Sequence, residues 1–208
     1  MIYTDRLKIR LAELADGSPT MGALAAKALE YTHSDITAIL YSCHPQDQLL
    51  DFSYKLVDEA VKLDIKKGLH ISCRKGCNHC CSQPVATTKM EMNKILSNHT
   101  IDPKHKPILE KQAKAESFLD LEREEQNCIF LTPEGCSIYS SRPFPCRLVH
   151  SRSLQTCLTK RETLPAIIDY AELTYSAFLE VLKWRDLLKA GPGNVLHLHA
   201  LDHLNNLK

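Results

Sequence analysis

The sequence has no long apolar run. Its opening segment, MIYTDRLKIRLAELADGS, contains basic residues but lacks the uninterrupted apolar core of a secretory signal, and no later stretch is long and apolar enough to span a bilayer. We therefore expect a cytoplasmic protein with no membrane partner. Structural disulfides are rare in a reducing compartment, so a dense group of cysteines there indicates a metal site or catalytic thiols.

Aromatic residues and an excess of one charge are also lacking. Aromatic side chains make up 6% of the chain, and 26 Lys and Arg residues balance 25 Asp and Glu residues. Nucleic-acid-binding proteins usually combine a basic face with aromatic stacking platforms, so a nucleic-acid partner is unsupported. The seven glycines form no G-x-G-x-x-G motif, which excludes an ordinary Rossmann methyltransferase.

Strand patterns are few, and helical periodicity dominates the chain. Leu49 and Leu56 belong to an apolar pattern that predicts a helix over 46–67, ending at Gly68. TKME at Thr88–Glu91 is a capping box, which predicts a helix from there to about Asn98. Further helices are predicted over 107–125, from Pro165 to the KAGPG segment, and within LKIRLAEL and MGALAAKALEY.

The domain organisation follows from length and continuity. With 208 residues, 44% hydrophobic content, no internal repeat and no long linker, the chain can bury one ordinary core. We expect a mostly α fold, a single domain of packed helices with irregular cysteine-bearing metal-binding loops. Within residues 1–208 the predicted parts are N-terminal helices (1–68), a cysteine-cluster region (73–157) and C-terminal helices (163–208).

Seven of the nine cysteines form two short clusters. The first is CRKGCNHCC at 73–81, and the second lies in CIFLTPEGCSIYSSRPFPCR at 128–147, a segment whose Pro and Gly content predicts an irregular loop. An isolated cysteine usually packs as a small hydrophobe. Spacings of C-x3-C-x2-C-C and C-x7-C-x9-C among polar residues instead indicate metal ligands. The candidate ligands are Cys73, Cys77, Cys80, Cys81, Cys128, Cys136 and Cys146.

The number of metal centres stays open at this stage. Neighbouring side chains on an extended backbone point to opposite faces, so Cys80 and Cys81 are not expected to bind one ion unless the chain turns sharply there. Otherwise one of them would serve a second ion or an exchangeable site. Cys157 would complete two four-sulfur sites, leaving Cys43 as a packed core residue.

The segment 73–157 resembles the YkgJ-type cysteine-cluster family in the order of its motifs. These are CRKGCNHCC, TKME, CIFL, GCSIY and SRPFPCR. That family is described as a zinc- or iron-chelating domain, and its wider relatives include flagellin lysine N-methylases. The resemblance implies that the seven cysteines bind metal, with Arg142, Pro143 and Arg147 beside them. Many members have glycine where this chain has Asn78 and His79, so the turn would differ and His79 becomes a further candidate ligand.

The spacings favour an iron-sulfur cluster, such as a 4Fe-4S cluster, over zinc. Structural zinc sites usually contain cysteine pairs two residues apart, and here Cys77 and Cys80 alone form such a pair. Wider spacings suit a larger cluster held from separate loops. Arg142 and Arg147 bracket Cys146, and we expect them to donate hydrogen bonds to sulfur or to bind an anionic cofactor group.

Three functions follow from these observations. The first is an iron-sulfur protein with redox or cluster-dependent modifying activity. The second, implied by the resemblance to relatives of the flagellin enzymes, is a cluster-dependent protein lysine N-methylase that uses S-adenosylmethionine on a protein substrate. Separately, CRKGCNHC has the C-x3-C-x2-C spacing of radical S-adenosylmethionine enzymes, although the chain shows almost none of their strands. The third is a structural zinc-binding interaction module. The sequence identifies no catalytic residue and no oligomeric state.

Overall fold

The computed structural model describes residues 33–42, 46–66, 68, 70–74, 76–115, 120–122, 124–159, 169–184 and 196–207. Eight α-helices follow one another in this part of the chain: α1 (His33–Ser42), α2 (Gln46–Lys66), α3 (Lys89–Asn98), α4 (Lys106–Lys114), α5 (Phe144–Leu148), α6 (Leu154–Thr159), α7 (Asp169–Trp184) and α8 (Leu196–Asn205). One short antiparallel pair joins β1 (Leu131–Thr132) to β2 (Gly135–Cys136). The mostly α prediction is confirmed.

The chain divides into two compact units. One contains residues 1–71 and 166–189, and the other contains residues 72–165 and 190–208. All the cysteines of the two clusters lie in the second unit. The single-domain description stays a prediction, and the helices predicted in LKIRLAEL and MGALAAKALEY lie outside the described residues.

The first unit is built on α1, α2 and α7, which pack against one another. Helix α2 buries Leu49, Ser53 and Val57, which recur at helical spacing and therefore share one face. The helix ends where predicted, since Gly68 adopts a φ of +101° and its N–H donates to the carbonyl of Ile65 at 3.1 Å. The predicted start of the C-terminal helix at Pro165 lies outside the described residues.

The second unit has a small apolar core formed by α3, α4, α8 and the second cysteine segment. Its buried members are Met92, Ile95, Ile101, Leu109, Phe130, Ile138, Leu196, Ala200 and Leu204. Cys128 and Cys136 are partly buried against this core. Because the core supports the backbone on which these cysteines lie, packing of the helices fixes the position of the second loop.

The capping box predicted at Thr88 is present. The Glu91 N–H donates to the Thr88 hydroxyl at 3.2 Å, and the Thr88 N–H donates to the Glu91 carboxylate at 2.8 Å. Helix α3 begins at the next residue, Lys89, and ends at Asn98 as expected. Local side-chain chemistry is sufficient to define this helix start.

The helix predicted over 107–125 is much shorter than expected. It ends at Lys114, because Ala115 has an extended backbone with a ψ of 129°. The Gln112 side chain donates to the carbonyl of Glu125 at 2.7 Å, and Lys111 forms an ion pair with the Glu125 carboxylate. These tertiary contacts bring the chain back toward α4 and override the helix propensity of the Ala, Glu and Lys residues.

The prediction that residues 128–147 contain neither strand nor helix was wrong. Thr132 pairs with Gly135 across a two-residue turn, which forms the β1–β2 hairpin. Pro145 lies in the first turn of α5, where its missing N–H costs no helical hydrogen bond. Within the described ranges, no helix is long and apolar enough to cross a membrane.

Candidate metal centre

The first cysteine loop contains two tight turns. The Cys77 N–H donates to the carbonyl of Arg74 at 2.9 Å, and Gly76 between them adopts a φ of +87° that favours glycine. Residues His79–Ser82 then form a 3-10 helix, closed by a bond from the Cys81 N–H to the carbonyl of Asn78 at 2.9 Å. The sharp turn that would allow Cys80 and Cys81 to approach one ion is therefore present, because both lie within one helical turn.

That turn brings the two adjacent sulfurs together. The Cys81 thiol hydrogen-bonds the Cys80 sulfur, which stabilises the Cys80 thiolate and lowers its pKa to about 7. The same bond, together with burial, raises the pKa of Cys81. Cys80 is exposed, whereas the other seven described cysteines are half-buried. At neutral pH roughly half of the exposed Cys80 is therefore thiolate, while Cys81 keeps its proton.

In the second loop, two cysteines are each bound by an N–H group two residues later. The Phe130 N–H donates to the Cys128 sulfur, and the Ile138 N–H donates to the Cys136 sulfur. The side chains of Phe130 and Ile138 lie in the core of the second unit. The core thus positions both donors. Hydrogen bonds of this kind favour a thiolate and are common around metal-bound sulfur.

Burial opposes ionisation of these thiols. It raises the pKa of Cys128 to about 11, and it also raises the pKa of Cys136, in both cases by more than the N–H donors lower it. Cys146 on α5 is more strongly affected, since burial is again the main cause of its raised pKa. A metal ion that replaces the thiol protons would relieve this penalty.

The two loops meet directly. The Cys128 N–H donates to the carbonyl of Cys81 at 2.7 Å. A Cβ atom placed on Gly135 would lie 3.5 Å from the Cα of Gly76. Each of these glycines has a positive φ and immediately precedes a cysteine of its loop. The backbone contact therefore brings the Cys77 and Cys136 turns next to each other.

Five sulfurs from the two loops and α5 form one electrostatic group, which we call the main thiol group. Each lies close enough to others of the group for their charges to interact. The members are Cys80, Cys81, Cys128, Cys136 and Cys146.

Cys73 and Cys77 belong to an adjoining group. The sulfur of Cys73 accepts a hydrogen bond from the Ser151 N–H at 3.1 Å and interacts electrostatically with Cys77, Cys157 and Cys80. The Ser72 N–H donates to the carbonyl of Ser151 at 2.7 Å, which holds the two segments together. Cys80 interacts with both groups and therefore connects them.

The two predicted arginines have different surroundings. Arg142 interacts with Cys80, Cys136 and Cys146, and in each case its positive charge lowers the pKa of the thiol. Its guanidinium lies 4.0 Å from the centre of the Tyr139 ring. The role of Arg142 as a cofactor-binding residue stays a prediction, but its charge is placed to compensate thiolates.

Arg147 is buried and 3% exposed. Its Nε donates to the carbonyl of Arg142 at 2.9 Å, and its Nη2 donates to the carbonyl of Ser140 at 2.6 Å. These bonds hold the backbone that carries Arg142. Whether Arg147 also binds a cofactor stays a prediction.

The chemistry of the donor set fits a thiophilic metal. All eight described cysteines are free thiols, and backbone N–H donors and an arginine accompany them. As the side chains stand, no group of three or more His, Cys, Asp or Glu residues in the described part of the chain is arranged to hold an ion. Ligation therefore requires the thiols of a group to turn toward a common point. Cys43 lies outside the described residues.

Sequence patterns did not identify two residues that organise the site. Ser151 binds Cys73 through its backbone N–H, which no side-chain motif can reveal. Glu91 was recognised for its capping box, but its other carboxylate oxygen accepts from the Phe144 N–H at 2.7 Å. The carboxylate of Glu91 is fully buried, and this burial points to a second partner. Burial is visible only in the folded chain, so the sequence carried no signal for this role.

We expect Cys81→Ala to raise the pKa of Cys80, because the substitution removes the hydrogen bond that most stabilises its thiolate. With a pKa of about 7, roughly half of Cys80 is thiolate at pH 7, whereas an ordinary thiol is ionised to a few per cent there. The rate of Cys80 alkylation by iodoacetamide in metal-free, reduced protein should fall about tenfold at pH 7. Site-resolved mass spectrometry over a pH series measures this, and an unchanged midpoint would contradict it.

Comparison with known proteins supports the sequence resemblance. Residues 72–165 match the model of the CxxCxxCC family, described as "Putative zinc- or iron-chelating domain". The matched segment contains both cysteine loops, α5 and Cys157. No curated protein and no solved structure matches the chain.

Proposed function

Starting from a segment that matches the CxxCxxCC family and brings its thiols together, we propose that the chain is a cytoplasmic protein that holds an iron-sulfur cluster through its two cysteine loops. The observation that carries this proposal is the main thiol group, in which five sulfurs come from the 3-10 turn, the segment 128–136 and α5 of the second unit. A cytoplasmic location is supported by the free thiol state of the eight described cysteines.

The main thiol group supports a cluster better than a single zinc ion. Zinc takes four ligands, commonly from paired cysteines on short knuckles. Here the sulfurs lie on a 3-10 turn, on the segment 128–136 that contains the hairpin, and on a short helix, and iron-sulfur clusters accept cysteines from such separate positions. A bound cluster would supply electron transfer. Zinc in the same thiols is the alternative, and the protein would then be a structural interaction module.

The residues of the chain have definite tasks in this proposal. The cysteines of the main thiol group bind the metal and release their protons as they do so. The N–H groups of Phe130 and Ile138 orient two of the sulfurs. Arg142 offsets the negative charge of about −2 that four thiolates leave around either kind of centre.

Cys73 and Cys77 are proposed as ligands in the adjoining group. Cys73 interacts electrostatically with Cys77, Cys157 and Cys80, which favours Cys157 over His79 as the additional donor. The S-adenosylmethionine cofactor, the protein substrate and the lysine N-methylase activity rest on sequence resemblance alone and stay predictions.

Absorption spectroscopy of anaerobically purified protein tests the proposal. We expect broad visible absorption from sulfur-to-iron charge transfer that bleaches on addition of dithionite. The Cys128→Ser variant should lose the absorption, because Cys128 belongs to the main thiol group, and Cys43→Ser should keep it. Colourless protein with stoichiometric zinc would support the structural alternative. Protein with neither metal would overturn both.

A further inference from the structure

Glu91 is a buried carboxylate with partners on both oxygens. Its side chain is 0% exposed. Oε2 accepts from the Thr88 N–H at 2.8 Å and from the Thr88 hydroxyl at 2.9 Å, which completes the capping box of α3. Oε1 accepts from the Phe144 N–H at 2.7 Å. One carboxylate thus caps its own helix and binds a residue 53 positions later in the chain.

Phe144 is the first residue of α5, the helix that carries Cys146. The first N–H groups of a helix have no partner within the helix, and a negative charge at that end is stabilising. Helix α5 has five residues, which is far too short to be stable through its own hydrogen bonds. Its position therefore depends on contacts with neighbouring elements, and Glu91 provides a charged one at its first residue.

The consequence for the thiols is geometric. Helix α3 follows the first cysteine loop directly in the chain, and α5 carries the one sulfur of the main thiol group that lies on neither the 3-10 turn nor the segment 128–136. The bond from Phe144 to Glu91 ties these two elements together. A shift of α5 would move Cys146 relative to Cys80 and Cys128, with which it interacts.

We propose that Glu91 is a positioning residue for metal binding, whose carboxylate holds α5 so that Cys146 can join the other thiols of the main thiol group. The inference rests on the proposed metal-binding function. Glu91 would then have two roles, since it starts its own helix through the capping box and also holds α5. Partners of this kind, which orient metal ligands without touching the metal, typically change affinity by about 10- to 100-fold when removed.

A cobalt(II) titration of the metal-free, reduced full-length chain tests this role. We expect Glu91→Gln to weaken cobalt binding about 10- to 100-fold. A neutral amide has one acceptor oxygen for which Thr88 and Phe144 compete, and in either orientation the charge that strengthens the Phe144 bond is lost. The sulfur-to-cobalt charge-transfer band should also fall to the intensity seen in Cys146→Ser, because one thiolate no longer reaches the ion. Thr88→Ala is the matched control, since it removes the capping hydroxyl and leaves the Phe144 bond in place.

A double-mutant cycle separates positioning from general stability. Combined with Cys146→Ser, the Glu91→Gln change should have little further effect on cobalt affinity, because the sulfur that Glu91 positions is already absent. An equal loss of affinity in both backgrounds, or an unchanged charge-transfer band in Glu91→Gln, would overturn the inference. If Glu91→Gln fails to fold by circular dichroism, Glu91→Asp replaces it in the same cycle with the same expected non-additivity.

Failure of the inference can be told from failure of the proposed function. If the parent protein binds cobalt through thiolates and Glu91→Gln behaves like the parent, Glu91 has no positioning role and the proposed function stands. If the parent shows no thiolate-to-cobalt band and also contains neither iron nor zinc as purified, both are overturned. If it contains iron but takes up no cobalt, the iron content of the same purified variants gives the cycle, with the same expected non-additivity.

Discussion

Replacing Cys136 with serine will remove most of the metal from the protein and loosen both cysteine loops. The Cys136 sulfur interacts with Cys80 of the first loop and is oriented by the Ile138 N–H, so it lies where the two loops meet. Removing a residue that only orients a metal ligand lowers metal affinity by up to roughly 100-fold. Removing a ligand itself should lower metal affinity by more than that. Because ligand bonds formed only in the folded state contribute folding free energy, the loops should lose order with the metal.

Metal analysis and hydrogen exchange together measure this effect. Amides of residues 72–82 and 128–147 should both exchange faster in Cys136→Ser than in the parent. Cys43→Ser is the control, because that cysteine stands apart from both clusters in the sequence and should affect stability more than metal content. Equal metal loss in both variants, or faster exchange confined to residues 128–147, would contradict a shared centre.

The second large effect is expected from Gly135→Ala. The φ of +115° at this position costs an L-residue about 1–2 kcal/mol, and the added methyl group would lie 3.5 Å from the Cα of Gly76. The methyl contact is an ordinary van der Waals distance, so the strain lies in the backbone, and its relief would rotate the backbone at the residue before Cys136 and shift that sulfur. We expect lower stability and weaker metal binding in the same variant.

Gly68→Ala is the matched control for this prediction. Gly68 has a comparable φ of +101°, and no atom lies within 4 Å of an added Cβ atom. It ends α2 rather than leading into a cysteine. Urea unfolding should therefore report a similar loss of stability in both variants, while metal titration should report a loss in Gly135→Ala alone. Unchanged metal affinity in Gly135→Ala would show that the contact between the two glycine turns is not needed.

The parts of the fold that depend on local chemistry could be predicted from the sequence. The Thr88 and Glu91 pair defines the start of α3 within four residues, and Gly68 ends α2 through its own backbone conformation. The cysteine spacing likewise identified the two loops that the structure brings together. In each case the residues that determine the structure lie within one or two helical turns of one another.

The parts that depend on distant contacts could not be predicted. Helix α4 stops at Lys114 because Gln112 and Lys111 bind residues beyond its end. The hydrophobic periodicity of the sequence gives no indication of these bonds. The sequence alone also left open whether the chain turns sharply at Cys80 and Cys81, where the structure has a 3-10 helix. The bond between Glu91 and Phe144 spans 53 residues and required the folded core.

The metal-to-protein ratio of anaerobically purified parent protein tests the central claim most directly. The two cysteine loops meet through the hydrogen bond from Cys128 to Cys81, and with α5 they bring five thiols together. We expect the protein to retain iron or zinc through purification, with at least one metal centre per chain. A ratio of iron and zinc that stays at trace level in reduced, folded protein would contradict the account.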